Sequence, residues 1–138
     1  MQLIKPIQQH LLDAIGVPSV LAAGWDAFEL VRAVAGASAD QAADMYPAFT
    51  FARGAAVNGR NAIAFAPSMP ADQATLLERP VLSGDVYEVA DALADLASAL
   101  SGRLRETAEL AADAGDRAAC ENAARDADRI SELLAKGK

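Results

Sequence analysis

The chain has one cysteine, one histidine and 5% aromatic residues among its 138 positions, and each scarcity excludes something. With Cys120 alone no intramolecular disulfide can form, so an oxidising compartment is not indicated. One His and one Cys cannot build the His- or Cys-rich sites that zinc prefers. A Ser-His-Asp or Cys-His pairing would have to use His10, and no nucleophile motif is there to meet it. The Glu-x-x-His pattern of di-iron bundles is missing. So is the ligand ladder of a calcium loop, and Asp113-Ala-Gly-Asp116 reads as a turn. Carboxylate pairs such as Asp91/Asp95 and Glu106/Glu109 read as solvated helix faces. No metal, no cofactor and no catalytic residue is expected.

Positive charge is also scarce. Twelve Lys and Arg against nineteen Asp and Glu leave a net charge of −7, with no basic cluster. Nucleic-acid affinity comes largely from neutralising phosphates, so nucleic acid is not an expected partner. Anionic membrane surfaces are disfavoured for the same reason. The most apolar stretch, Val17 to Val34, contains Asp26, Glu29 and Arg32, too polar for a span that needs about 20 mostly apolar residues. No secretory signal is read, because Lys5 is the only early positive charge and Asp13 interrupts the apolar run after it. The expectation is a soluble, cytoplasmic protein without membrane insertion.

What the chain does have is alanine: 34 residues, within a hydrophobic fraction of 53%. The length fits one domain with a real core. The spacing of apolar residues predicts an all-α helical bundle with a long C-terminal antiparallel helical hairpin. Its parts are an N-terminal helical region over 1–66, a loop at 67–70, a short helix over 71–79 and the hairpin over 84–136.

Ile4, Ile7, Leu11 and Ile15 keep helical spacing, and Gly16 suits the position after a helix end. A second helix over 19–35 carries Leu21, Trp25 and Phe28. Gly24 lets another backbone approach, and Gly36 is the expected stop. Ser38-Ala39-Asp40-Gln41 has the pattern of a capping box, predicting a short helix that Pro47 disturbs.

Residues 48–66 read two ways. Phe49/Phe51 and Ile63/Phe65 alternate, and Asn58-Gly59 is a hairpin-turn signal, so a small β-hairpin or an irregular segment is one reading. Phe51, Ala55, Asn58, Ala62 and Phe65 also keep helical spacing, and alanine favours the helix, which is the reading preferred.

The C-terminal half is clearer. Asp85 with Glu88 three residues on predicts a capped helix start. From there Val86, Val89, Leu93, Leu96 and Leu100 step by three and four, with Thr107, Leu110 and Ala114 further along. After a break at 114–116, Cys120, Ala123, Ala127, Ile130 and Leu134 repeat the spacing.

Two non-catalytic functional expectations lead, ahead of a third, an enzyme or enzyme subunit whose best candidate groups are His10, Arg53 and Arg60. The first is protein–protein association, as an accessory or scaffold protein. Alanine buries little area, so the hairpin seam of Val86, Val89, Leu93, Leu96, Leu100, Ile130 and Leu134 is expected to need a partner or a second copy, most simply in a homodimer. The second is a small-ligand site around 49–65, where Phe49, Phe51 and Phe65 would supply apolar lining. Arg53, Asn58, Arg60 and Asn61 would supply polar groups for a small acidic or amide-bearing ligand.

Tyr87-x-x-x-Asp91 resembles the Tyr-x-x-x-Asp/Glu export signal of the small helical-hairpin substrates of actinobacterial type VII secretion. That resemblance implies a helical-hairpin substrate exported by that route. The surroundings differ from the family pattern: Trp25 is followed by Asp26 and Ala27 where the family has a Trp-x-Gly turn, and the long hairpin comes after the signal.

Overall fold

The computed structural model describes residues 4–70 and 85–136. Five α-helices and one 3-10 turn form there, with no strand among the described residues: α1 (Ile4–Asp13), α2 (Val17–Ser38), the 3-10 turn Ala43–Met45, α3 (Tyr46–Ala64), α4 (Val86–Leu110) and α5 (Ala114–Lys136). The all-α expectation and the C-terminal hairpin hold. The short helix expected over 71–79 lies outside the described residues.

Helices α2, α3, α5 and α4 follow one another around a ring, each packed on the next, and α1 lies on α2 and α4. Residue pairs fix the directions. Gly24 meets Ile63, Gly59 meets Phe28 and Gly36 meets Arg53, so α2 and α3 are antiparallel. Ser98 bonds Ser131 and Ser101 bonds Asp128, so α4 and α5 are too. Every helix contributes to one continuous core, led by Leu11, Leu21, Phe28, Leu30, Phe49, Ile63, Leu93, Leu96, Leu100, Leu104, Ile130 and Leu134.

Gly16 has φ 90, a left-handed value that glycine adopts without a side-chain penalty, and Pro18 follows in the first turn of α2. Gly36 does not stop α2. The helix runs through it to Ser38, and the Arg53 side chain packs beside it, with Cδ 3.5 Å from where a Cβ would stand. Gly24 admits side chains, not a backbone: Ile63, Leu100 and Leu104 converge on it.

Ser38 is not a cap. It is the last residue of α2, buried, and its hydroxyl has no hydrogen-bond partner among the described residues. Pro47 sits in the first turn of α3, where its missing N–H costs nothing, so it begins a helix instead of disturbing one.

The ambiguous stretch is helix α3, which overturns the hairpin and irregular readings of 48–66. Gly59 lies within this helix, and the Phe28 ring occupies the space beside it, where any Cβ would clash. A long-range contact thus decides what the Asn-Gly dipeptide left open.

Asp85 caps α4 by accepting from the Tyr87 N–H at 2.9 Å. Helix α4 ends at Leu110, and the break falls at 111–113, slightly before its expected place. Asp113 starts α5 by accepting from the N–H groups of Gly115 and Asp116, at 2.7 and 3.1 Å. Buried Asp116 then ties that end to the 65–70 turn, accepting from the Ser68 N–H at 2.8 Å and the Ser68 hydroxyl at 2.5 Å.

Candidate contact surface

The C-terminal seam is closed by the chain itself. Val89, Leu93, Leu96, Leu100, Ile130 and Leu134 are fully buried among α2, α3 and the opposite hairpin helix, and Val86 packs against the same core. The alanines of α5 explain how this works. Ala119, Ala123, Ala124 and Ala127 let α3 and α4 approach closely, and the larger side chains come from the neighbouring helices. No apolar stripe on this seam is left for a second chain.

The residues expected to line a ligand site share a helix but not a face. At about 100° per residue, Phe49, Arg53 and Arg60 fall within one narrow sector of α3, while Phe51, Asn58 and Phe65 fall on the opposite side, with Asn61 beside them. Phe49 is in the core. Arg60 turns to α2, where its guanidinium stands 5.4 Å from the Trp25 ring and pairs with Glu29. Arg32 holds the same carboxylate with two hydrogen bonds, at 3.1 and 3.2 Å. Burial pushes the Glu29 carboxyl up, but the bonds from Arg32 and Arg60 outweigh it and hold it below 4.5. The cluster is a structural clamp between α2 and α3, with two guanidinium groups on one carboxylate and the Arg60 Nε buried without a hydrogen-bond partner among the described residues.

The other side of α3 is in water. Phe65 is 86% exposed, Phe51 is 58% exposed, and Asn58 and Asn61 are exposed between them. Phe65 follows the last helical residue with φ −84 and ψ −6, so it keeps the register of the helix. Phe51, Asn58 and Phe65 therefore repeat every seven residues along one edge, over about 21 Å. Gly54, with nothing within 4 Å of its would-be Cβ, opens a notch between them. The only charged residues of α3 are Arg53 and Arg60, on the opposite sector, so this outer face has no charge at all. The sequence signal for it was present in the seven-residue spacing, but both phenylalanines read equally well as core.

Leu12, Ile15, Tyr46 and Leu110 are exposed as well; Ile15, between α1 and α2, and Leu110, the last residue of α4, lie at the end of the bundle where α3 finishes, as Phe65 does. Tyr87 is partly exposed in the first turn of α4, and its hydroxyl donates to Asp44 at 2.6 Å, which anchors α4 to the segment before α3.

Between α4 and α5 a shallow groove of about 440 Å³ is lined by Arg105, Ala108, Glu109, Arg117, Glu121 and Arg125. Two of its arginines are engaged by the chain: Arg105 pairs with Asp128 at 2.6 Å, and Arg117 donates to the Ala111 carbonyl at 3.0 Å. Cys120 is buried, and burial together with Asp116 and Glu121 pushes its thiol up to about 11, so it stays protonated and unreactive near neutral pH. Among the described residues no group of three or more His, Cys, Asp or Glu is placed to hold a metal ion, and no helix is long and apolar enough to cross a membrane.

No family model, no curated protein and no solved structure matches the chain.

Proposed function

We propose that the chain is a non-enzymatic helical association protein, acting as an accessory or scaffold element, and that its contact surface is the outer face of α3. One observation carries this reading: a charge-free helix face with two phenylalanines in water, on a molecule whose net charge is −7. Exposing large aromatic side chains forfeits roughly 2–3 kcal/mol apiece relative to burial, a cost that a partner would recover. The expected seat of association has thus moved from the C-terminal seam, which is filled, to α3.

Sedimentation of the full chain between about 1 and 100 μM, beside Phe65→Glu, tests the reading. The expected result is concentration-dependent association of the wild-type chain that Phe65→Glu abolishes with its helicity unchanged. A wild-type chain that stays monomeric throughout, or a Phe65→Glu chain that associates as well, overturns self-association through this face.

A second reading, small-ligand binding, keeps one physical basis: the α4–α5 groove, where Arg105, Arg117 and Arg125 stand beside Glu109 and Glu121, could hold a small acid. Thermal shift with succinate and inorganic phosphate tests it. A ligand at 100 times its dissociation constant adds about 2.7 kcal/mol, and no shift removes this reading.

A further inference from the structure

The seam between α2 and α3 gathers three guanidinium groups around one carboxylate. Arg53 and Arg60 stand seven residues apart on α3, about 10 Å along its axis. The contacts of Gly36 with Arg53 and of Phe28 with Gly59 set Arg32 of α2 at a level between them. Three positive charges against Glu29 leave the seam at +2, on a chain of net −7. Its donors are only partly used. Arg32 gives Nε and Nη2 to Glu29, and its Nη1 has no partner among the described residues. Arg60 gives Nη1 to the same carboxylate, and its Nε is buried and unpaired there. Arg53 makes no hydrogen bond and no ion pair among the described residues. Its side chain is nevertheless seated on α2, with Cδ and Nε 3.5 Å and Cζ 3.8 Å from where a Gly36 Cβ would stand. One arginine would neutralise Glu29. A second beside it and an unpaired third add repulsion that the clamp does not require.

We propose that this seam binds a tetrahedral dianion, either free phosphate or the phosphate group of a small monoester, held by Arg32 and Arg53 with Arg60 behind them. Charge supports this chemistry first, since a dianion meets the +2 of the seam. Geometry supports it next. Guanidinium forks take phosphate oxygens in pairs, and a tetrahedral ion offers separate oxygens to forks that reach it from two helices, which a planar carboxylate does not. The acidic remainder of the chain limits the size of the ligand: a polyanion would be repelled by the surrounding surface, whereas a small dianion meets only the seam. The site is separate from the outer face of α3 and from the α4–α5 groove, so it stands or falls apart from both readings above.

Calorimetric titration of the full chain tests the site, with inorganic phosphate and glycerol 2-phosphate as separate probes at pH 8 and constant ionic strength. One ion should bind per chain, with a dissociation constant below about 1 mM. Trp25 is the sole tryptophan and Arg60 stands over its ring, so its emission should change along the same curve. Arg53→Gln removes no polar contact within the protein. Its thermal unfolding without ligand should match the wild type, while its dissociation constant should rise about tenfold or more. Arg125→Gln, in the α4–α5 groove, should bind as the wild type does. Tighter binding of glycerol 2-phosphate assigns the site to a monoester, and binding of phosphate at least as tight assigns it to the free ion; both support the proposal. Absence of saturable heat with either probe up to about 10 mM overturns it. So does an unchanged affinity in Arg53→Gln, or heat without a response from Trp25. Loss of binding in Arg125→Gln moves the ion to the other groove and overturns the seam site. Equal affinity for succinate overturns the preference for a tetrahedral ion.

Discussion

Helices α3 and α5 lie side by side with 19 and 23 residues, and both turn alanine-rich faces into the same core, yet their outward faces differ completely. α5 shows water Arg117, Glu121, Arg125, Arg129 and Glu132, a mixed-sign surface of the kind that keeps a helix solvated. On one side α3 shows water two phenylalanines, two asparagines and a glycine, with Tyr46, Thr50 and Arg53 exposed elsewhere on the helix. The core does not require this difference, since the inner faces would pack the same way under any polar exterior. What it teaches is that the neutral face of α3 is the part of this molecule that packing leaves unexplained. Substitutions on the two sides of α3 test whether it is separable from the packing on its other side.

The largest contrast is expected between neighbours on α3. Ile63 is wholly buried and its Cδ1 fills the space above Gly24. Ile63→Ala should cost about 2–4 kcal/mol in urea denaturation, by lost burial and by the cavity left behind. Phe65→Ser, two residues on, should stay within about 0.5 kcal/mol at concentrations too low for association. A large loss for Phe65→Ser would mean that the exposed ring supports the fold, and the two faces would not be separable.

Next come the two glycines of α3, for which opposite signs are expected. Gly59→Ala drives a Cβ into the Phe28 ring, which is locked in the core, and should destabilise by about 1–3 kcal/mol despite the better helix propensity of alanine. Gly54→Ala meets open space and should stabilise the monomer by about 0.5–1 kcal/mol. Equal signs in thermal denaturation of the two variants would contradict the placement of α3.

The clamp to α2 gives a pH-dependent effect. Glu29 is held below its ordinary 4.5 in the fold, so it contributes stability above about pH 4.5 that is lost as pH falls through the folded value. Glu29→Gln removes that contribution and leaves Arg60 against α2 with a neutral partner. A loss of about 1–2 kcal/mol is expected at pH 7, shrinking toward acid. A pH-independent difference between wild type and Glu29→Gln would assign the loss to packing instead of charge.

How much of this was legible beforehand follows from the range of the interactions. The α4 start was readable because Asp85 acts on a backbone N–H two residues away, and the buried seam because Val89, Leu93, Leu96 and Leu100 recur on one helical face. The Ser38 capping pattern misled. Alanine carries α2 through Gly36, and the Arg53 side chain from another helix settles there, which no local signal announces. The closure of the seam was misjudged for a related reason: the bulk that alanine lacks on α5 is supplied by Phe49, Ile63 and the leucines of α4. Weighing each helix by its own side chains missed that complement. The α3 face was half legible. The spacing of Phe51, Asn58 and Phe65 is in the sequence, but which side of the helix meets water depends on Phe28 and Gly59 meeting 31 positions apart.

The smallest expected effect is on α5. Asp126 is partly buried on α5 and forms no ion pair among the described residues, and burial pushes its carboxyl above the ordinary 3.8, against the pull of Arg125 and Arg129. A raised folded value means the carboxylate costs stability at neutral pH, and the cost disappears as pH falls through that folded value. Asp126→Asn should therefore stabilise the fold at pH 7, by a few tenths of a kcal/mol once solvent screening is allowed for, and converge with the wild type below about pH 4. The sign is opposite to that of Glu29→Gln, although both remove one negative charge from a chain of net −7. A general relief of charge repulsion would stabilise both variants alike. Opposite signs in paired denaturation curves at pH 7 show instead that the local partners of each carboxylate decide: two arginines in hydrogen-bond contact at Glu29, none at Asp126.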